Sequence, residues 1–536
     1  AVGRPPGRPA VGDPGAVGVN EPRITRRRAL GGALRAAGGL SVAGGLAAGL
    51  AGCGAGERRA AASGSTREST WGDPVGDGQL RVLPGEPLTA RTELGPPARE
   101  IGALARLAHL TDAHVLDASS PARVTFLDRL GPPFQSTFRP QEALTTQVLA
   151  GAVGAVRTLA PQAVIQGGDL IDNDQHNELV HALAVLGGGV VSPGSGPRGY
   201  DGVQLSSDTD PFYYRPGVDA PRHPGLLRDA VAPFHSPGLG IPGLPVFGDH
   251  DGLVAGTVVP TALTRSLALG DRALWDLPTG LTVPAGLAAH SAASPDGPPD
   301  PGAVDALLRE ALRGPTVQVP ADPARRQLRF TEAVARLHAA GGPGVAVRAG
   351  ARLDYALDLG AHVRLIVLDL VRRGGGSGGE VVAGQSAWLA QALASAGRRW
   401  VLVAGHQPLT SSVGGEALLA QLDRAPRVVA VFNGHIHRNA ITPRRTRAGG
   451  YWLIGTASLI DYPQQGRAVE LWSTTGGGVA IRTWMLDHVA GGRLGRLGAI
   501  SRQLSYLDAQ GGRPEGFAGS AADRNAVLYR RAPGAQ

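Results

Sequence analysis

The chain contains no lysine, so every one of its 52 Lys/Arg positions is arginine. Together with 80 glycines and 42 prolines in 536 residues, this reads as the bias of a GC-rich genome and predicts long Gly/Pro loops rather than disorder throughout. Cysteine occurs once, at Cys53, which excludes an internal disulfide. Aromatic residues make up only 4%, and past the first 52 residues no arginine run is interleaved with them as a strand-stacking groove requires. Nucleic-acid binding is therefore not expected. The formal charge of +8 does not restore that reading, because residues 1–52 hold seven arginines against two acids and so carry most of the excess. The weakly apolar segment 36–50 is too short to span a bilayer.

That segment has a basic flank, Thr25-Arg26-Arg27-Arg28, and is expected to be a signal h-region. The paired arginines before a mild apolar stretch resemble a twin-arginine export signal, and Leu50-Ala51-Gly52-Cys53 resembles the lipobox of bacterial lipoproteins. The expectation is an exported protein on the outer face of the cytoplasmic membrane, held only by a lipid on Cys53. Residues 1–53 would be the signal. Residues 54–97, polar and Gly/Pro-rich, are expected to be a flexible tether, residues 98–489 the domain, and residues 490–536 a tail.

Five apolar runs inside that domain each end in carboxylate or imidazole. Residues 105–111 lead to Asp112-Ala113-His114, and residues 163–166 to Gly167-Gly168-Asp169. Residues 244–247 lead to Gly248-Asp249-His250-Asp251, residues 400–404 to Gly405-His406, and residues 428–432 to Asn433-Gly434-His435-Ile436-His437. Short β-branched runs bounded by glycine read as buried strands. Ligands of open α/β sheets sit at the carboxyl ends of strands, so the five turns are expected to share one cleft as a metal site. Asp112 and His114 should face one side of extended backbone. The turns span residues 112–437, which fits one large domain with insertions. Residues 140–159, with Leu144, Val148, Val153 and Val156 on one stripe, predict the helix that joins the first two strands in parallel. Further on, residues 362–370 predict a strand and 385–396 a helix, while 451–456, 468–472 and 479–485 predict strands closing a second sheet.

In order, DAH, GGDLID, GDHD, GHQ and GHIH resemble the motifs D-x-H, G-D-x-x-D, G-N-H-[DE], G-H and G-H-x-H of the calcineurin-like metallophosphoesterases, and of these a twin-arginine-exported bacterial branch with long insertions. The resemblance covers about residues 104–485. It implies an α/β fold, a two-sheet α/β/β/α sandwich, and two metal ions bridged by Asp169. Asp112, His114 and His437 would complete one position, Asp249, His406 and His435 the other. His250 would lie beside the substrate, donating to the phosphate or protonating the leaving oxygen, with Asp172 orienting its ring. Three aspartates supply hard oxygen ligands, and the histidines shift the preference from calcium towards iron, manganese or zinc. The implied activity is hydrolysis of phosphate esters outside the cytoplasm by metal-activated hydroxide, on a phosphorylated small molecule or lipid. A phosphodiesterase acting on nucleotides or lipid headgroups, and a metal-binding surface lipoprotein with impaired turnover, are the alternatives. The chain departs from the pattern at Asp249, where the family has asparagine; the added negative charge should repel phosphate.

Two insertions are expected, at about 174–243 and 253–353. The first carries the aromatic cluster Pro211-Phe212-Tyr213-Tyr214-Arg215-Pro216, either a cleft wall that stacks on a leaving group or a satellite core beneath a loop. The second, with helical stretches near 303–312 and 331–340, is expected to form a cap or lid. Arg444, Arg445 and Arg447 either catch a second phosphate or lie on a solvated hairpin. His176, His181, His223, His235, His290, His338 and His362 have no motif around them and receive no role.

Overall fold

The structure, a computed structural model, describes residues 60–534 except 131–135, 198, 277, 279, 282, 285–286, 288–293, 295, 342–351 and 509–515. The leader arginines, Cys53 and His290 lie outside the described residues. The chain divides into two compact units, residues 1–57 with 75–77, and residues 58–74 with 78–536. Of the first, only 75–77 are described, as a bend. The second contains two large sheets.

The strands of the first sheet are β1 (Thr89–Leu94), β2 (Glu100–Leu110), β3 (Ala163–Gln166) and β4 (Gly243–Pro245). Those of the second are β5 (Tyr355–Leu359), β6 (Val363–Leu368), β7 (Trp400–Gly405), β8 (Val428–Asn433), β9 (Ala440–Arg444) and β10 (Tyr451–Gly455). The chain then returns to the first sheet with β11 (Gln465–Thr474), β12 (Val479–Asp487) and β13 (Ala526–Arg530). The seven-stranded order is β1-β13-β12-β11-β2-β3-β4 and the six-stranded order β5-β6-β7-β8-β10-β9. In each sheet the site-bearing strands run parallel: β2, β3 and β4 in one, β6, β7, β8 and β10 in the other. Their carboxyl ends therefore open at one edge.

One apolar core joins both sheets, with Leu107, Ile165 and Val469 from the first and Leu402, Phe432 and Ile454 from the second. β3, β7 and most of β8 are buried on both faces, which is why they read as continuous apolar runs rather than alternating ones. Helices α1 (Thr145–Leu159) and α2 (His176–Gly187) pack with the first sheet. Helices α6 (Gln385–Ala394) and α7 (Gly415–Arg424) cover the second, with Leu389, Leu418 and Leu422 against Val401, Val403 and Val428. The result is the expected α/β/β/α sandwich.

Several boundaries differ from expectation. Residues 60–97 are not a loose tether: Ser69–Gly72 pairs with Arg81–Pro84, β1 pairs with β13, and buried Thr66 donates to the Met485 carbonyl and Asn525 Oδ1. Residues 490–536 are not a tail either, because helix α8 (Gly492–Leu507) packs on α1 and β13 is an interior strand. β11 and β12 join the first sheet, not the second. The α-helix after the first strand begins at Thr145, preceded by the 3-10 turn Glu142–Leu144 rather than by helix from Pro140.

The aromatic cluster is a satellite core: Tyr213 and Tyr214 are buried with Phe138, Leu144, Leu497 and Leu504, away from any role in stacking on substrate. In the second insertion α3 (Ala262–Leu269) and α4 (Pro301–Ala311) close a small core with Val124, Phe126 and Leu127, whereas α5 (Phe330–Ala340) belongs to the main core. Only the first part of that insertion is thus a separate body. Arg444 is paired with Asp423 and stands opposite Tyr451 at the start of β10, the end remote from the site. The turn carrying Arg445 and Arg447 is therefore a hairpin tip, not a phosphate catch.

Candidate metal centre

The seven expected ligands meet. Ligand atoms of Asp169, Asp249, His406 and His435 lie within 4.8 Å of one another, as do those of Asp112, His114 and His437. Asp112, His114, Asp169 and Asp249 come from turns of the seven-stranded sheet, and His406, His435 and His437 from the other. Between the two groups stands Asp169. Its Oδ2 is 3.0 Å from His406 Nε2 and 3.7 Å from His114 Nε2, while its Oδ1 accepts from the His250 backbone N–H at 2.9 Å.

The backbone works hard to make this convergence. Asp112, His114, Asp169, His435 and His437 all have positive φ, between 43° and 65°, a sparsely populated region for residues other than glycine. Asp112 and His114 therefore do not reach the site by alternation along an extended strand; the chain has already turned. Gly434 serves a close approach: a Cβ there would lie 2.1 Å from Thr111 Oγ1 and 2.4 Å from Asp112 Oδ2. That gap lets the His435 N–H donate to Asp112 at 3.1 Å.

The donor set itself tests whether cations fit. A carboxylate or carbonyl only accepts, so His114 Nδ1 donates to Asp172 Oδ1 (2.9 Å) and His406 Nδ1 to the Gly167 carbonyl (2.8 Å). In the neutral rings the lone pairs then sit on Nε2, and both of these Nε2 atoms are buried without a hydrogen-bond partner. Lone pairs aimed at carboxylate oxygens 3.0–3.7 Å away repel, unless a metal ion lies among them or Nε2 takes up a proton. The residues fit two metal ions.

Electrostatics point the same way. Burial alone would raise the Asp112 carboxyl, yet the His437 and His406 imidazoles hold it well below the usual carboxylate range. His435 and His406 do the same for Asp249 against its burial. Burial would lower His437, but Asp112 and Asp461 outweigh it and push the ring up to about 9. The cluster is built to hold positive charge.

His250 stands beside the ligands, its ring centroid 4.4 Å from that of His114. Its Nδ1 donates to the Asp172 backbone carbonyl at 2.7 Å, and the Asp172 carboxylate lies 3.6 Å away. Asp172 thus orients His250 through its main chain and spends its carboxylate on His114. Gly256 closes the other side, since a Cβ there would sit 2.3 Å from His250 Cδ2. Sequence patterns gave no role to Gln407, which donates to Asp249 Oδ1 at 2.9 Å, or to Asp251, which accepts from the N–H groups of Gly248, Leu170 and Ile171. They also missed Asp461, which accepts from His437 Nδ1 at 2.6 Å. The available signal was a sixth apolar run, β10, that also ends in a carboxylate-bearing turn.

Residues 357–439 match the model of the calcineurin-like phosphoesterase family, a span that includes His406, His435 and His437. No curated protein matches the chain. Among solved structures, a dimetal phosphatase from Danio rerio is 12% identical, over 72% of this chain and 100% of that one, with a TM-score of 0.35. PhoD is 10% identical over 80% of each chain, with a TM-score of 0.28. A sulfate thiohydrolase, SoxB, from Thermus thermophilus is 12% identical over 77% of this chain and 62% of that one, with a TM-score of 0.28. Three of the seven candidate ligands, His406, His435 and His437, lie inside the span that matches the calcineurin-like phosphoesterase model, and the other four complete both clusters around them.

Proposed function

We propose that the protein hydrolyses phosphate esters outside the cytoplasm with two ions of iron, manganese or zinc, while anchored to the membrane by a lipid on Cys53. The observation that carries the catalytic part is the pair of ligand clusters meeting at Asp169, with His250 beside them. When bound, such a pair of cations polarises the phosphoryl oxygens and lowers the pKa of water. Asp112, His114 and His437 would hold one ion and Asp249, His406 and His435 the other, with Asp169 standing between the two groups. His250, its Nδ1 fixed on the Asp172 carbonyl, has Nε2 left for the substrate. As water loses a proton to solvent and its oxygen bonds to phosphorus, the ester P–O bond breaks and a protonated Nε2 gives its proton to the leaving oxygen. The export and anchoring part rests on the paired arginines and the LAGC sequence alone.

Asp249 favours a second reading. A carboxylate in place of the family's asparagine lowers the positive charge offered to phosphate, and Gln407 fixes its orientation. A diester carries one negative charge where a monoester carries two, so the substitution penalises diesters less. Aryl phosphate mono- and diesters, assayed on protein of measured metal content, decide between them. Hydrolysis of at least one class is expected, and bound metal with neither ester cleaved would leave the chain a metal-binding lipoprotein.

A further inference from the structure

Behind the His437 ring stands a buried ion pair that the catalytic scheme does not use. We propose that Asp461, itself held by Arg139, is a positioning residue for the metal position formed by Asp112, His114 and His437. The inference rests on the metal-centre reading above.

Asp461 Oδ2 accepts from His437 Nδ1 at 2.6 Å, and Asp461 Oδ1 accepts from Arg139 Nε at 2.7 Å. Both Asp461 and Arg139 are buried. Because a carboxylate can only accept, the proton sits on Nδ1, and in the neutral ring the Nε2 lone pair faces Asp112 Oδ1 at 3.2 Å. Asp461 also lies in the turn that continues β10, just as the ligands lie in turns that continue β2, β3, β4, β7 and β8. The same turn grips a second ligand of this position: the N–H groups of Leu459 and Ile460 donate to the Asp112 carbonyl at 3.1 and 3.2 Å. One loop therefore fixes the backbone of Asp112 and the ring of His437 together.

The two metal positions are unequal in this respect. His114 and His437 are each backed by a carboxylate, Asp172 and Asp461, whereas His406 is backed by a backbone carbonyl. A carboxylate acceptor makes an imidazole the stronger donor and locks its orientation. Burying an Arg–Asp pair is costly unless further hydrogen bonds satisfy it, and here His437 Nδ1 donates to the carboxylate while Arg139 Nη1 donates to the Ser136 carbonyl.

The test is a calorimetric titration of Mn²⁺ into chelator-stripped full-length protein, with thermal melts as a check on folding. The parent should take up two ions. Asp461→Asn should keep one at parental affinity and bind the other about 10–100-fold more weakly, and Asp461→Glu should recover part of the loss. Arg139→Gln, which keeps the carboxylate but frees it, should weaken the same ion to a smaller extent; it and Asp461→Glu carry the test if Asp461→Asn does not fold. Two unchanged affinities, or equal weakening of both ions in step with lost thermal stability, would overturn the positioning role. A parent that binds no Mn²⁺ would instead overturn the metal-centre reading and this inference with it.

Discussion

Asp169 and His250 are joined by a hydrogen bond between one's side chain and the other's main chain, yet their roles separate cleanly. Asp169→Asn removes the carboxylate that faces both clusters, so both ions should be lost. His250→Ala removes a proton donor that holds neither, so metal content should stay and turnover should fall about 10²–10⁴-fold. Metal analysis of the two purified variants checks this, and equal metal loss in both would contradict it. Asp249 is the second test at this scale. Asp112, Asp169 and Asp249 offset three of the four positive charges of two divalent ions, and an asparagine at 249 would leave one more positive unit facing phosphate. In a site partly closed to water that unit is worth on the order of a few kcal/mol. Asp249→Asn should therefore make inorganic phosphate a stronger inhibitor. The assay needs saturating metal, because an amide oxygen is the weaker ligand; weaker inhibition in the fully metallated variant would mean that the rest of the site depends on the aspartate.

Among elements, the strand ends do the organising, and the stretch between β3 and α2 shows how tightly. Glu178, on the first turn of α2, accepts from the N–H groups of Asp172 and Asn173 on one oxygen and from Asp117 N–H and Gln175 Nε2 on the other. All four partners are donors. Glu178→Gln would set an NH₂ group against two of them, at a cost of about 1–3 kcal/mol. Urea unfolding should register that loss, and an unchanged midpoint would show that the loop rearranges freely. The same contrast explains what the sequence reveals. β3, β7 and β8 were legible because burial on both faces writes an uninterrupted apolar run, and each candidate ligand sits within five residues of an apolar run's end. β13 was not, since Ala526, Leu528 and Arg530 alternate over only five residues and Arg530 is among the buried ones. Nor was α8, whose buried Leu497 and Leu504 are diluted by glycine and arginine. Asp461 escaped for another reason: it acts on a ligand rather than on a metal, so its only trace in the sequence is the carboxylate in the turn that follows β10.

At the scale of the whole molecule, the anchor and the metal centre make separate claims. If Cys53 is lipidated, Cys53→Ala expressed in a suitable bacterium should leave the membrane fraction, and retention as firm as the parent's would end the lipobox reading. The proposed metal centre would tie the body of the protein together, because its candidate ligands are divided between the sheets: Asp112, His114, Asp169 and Asp249 from one, His406, His435 and His437 from the other. Without cations three buried carboxylates and four imidazoles are left to face one another across that seam, relieved only by protons. An ion that binds the folded chain and not the unfolded one adds about 2.7 kcal/mol at one hundred times its dissociation constant. Chelation should therefore lower the melting temperature, and both sheets should shift as one transition, since no sheet keeps a complete ligand set alone. Calorimetry of stripped and reloaded protein checks this. Manganese or zinc should restore the transition more fully than calcium, which prefers all-oxygen sites. A melting temperature that stays put while metal content falls would mean that the two sheets are held by their shared apolar core alone.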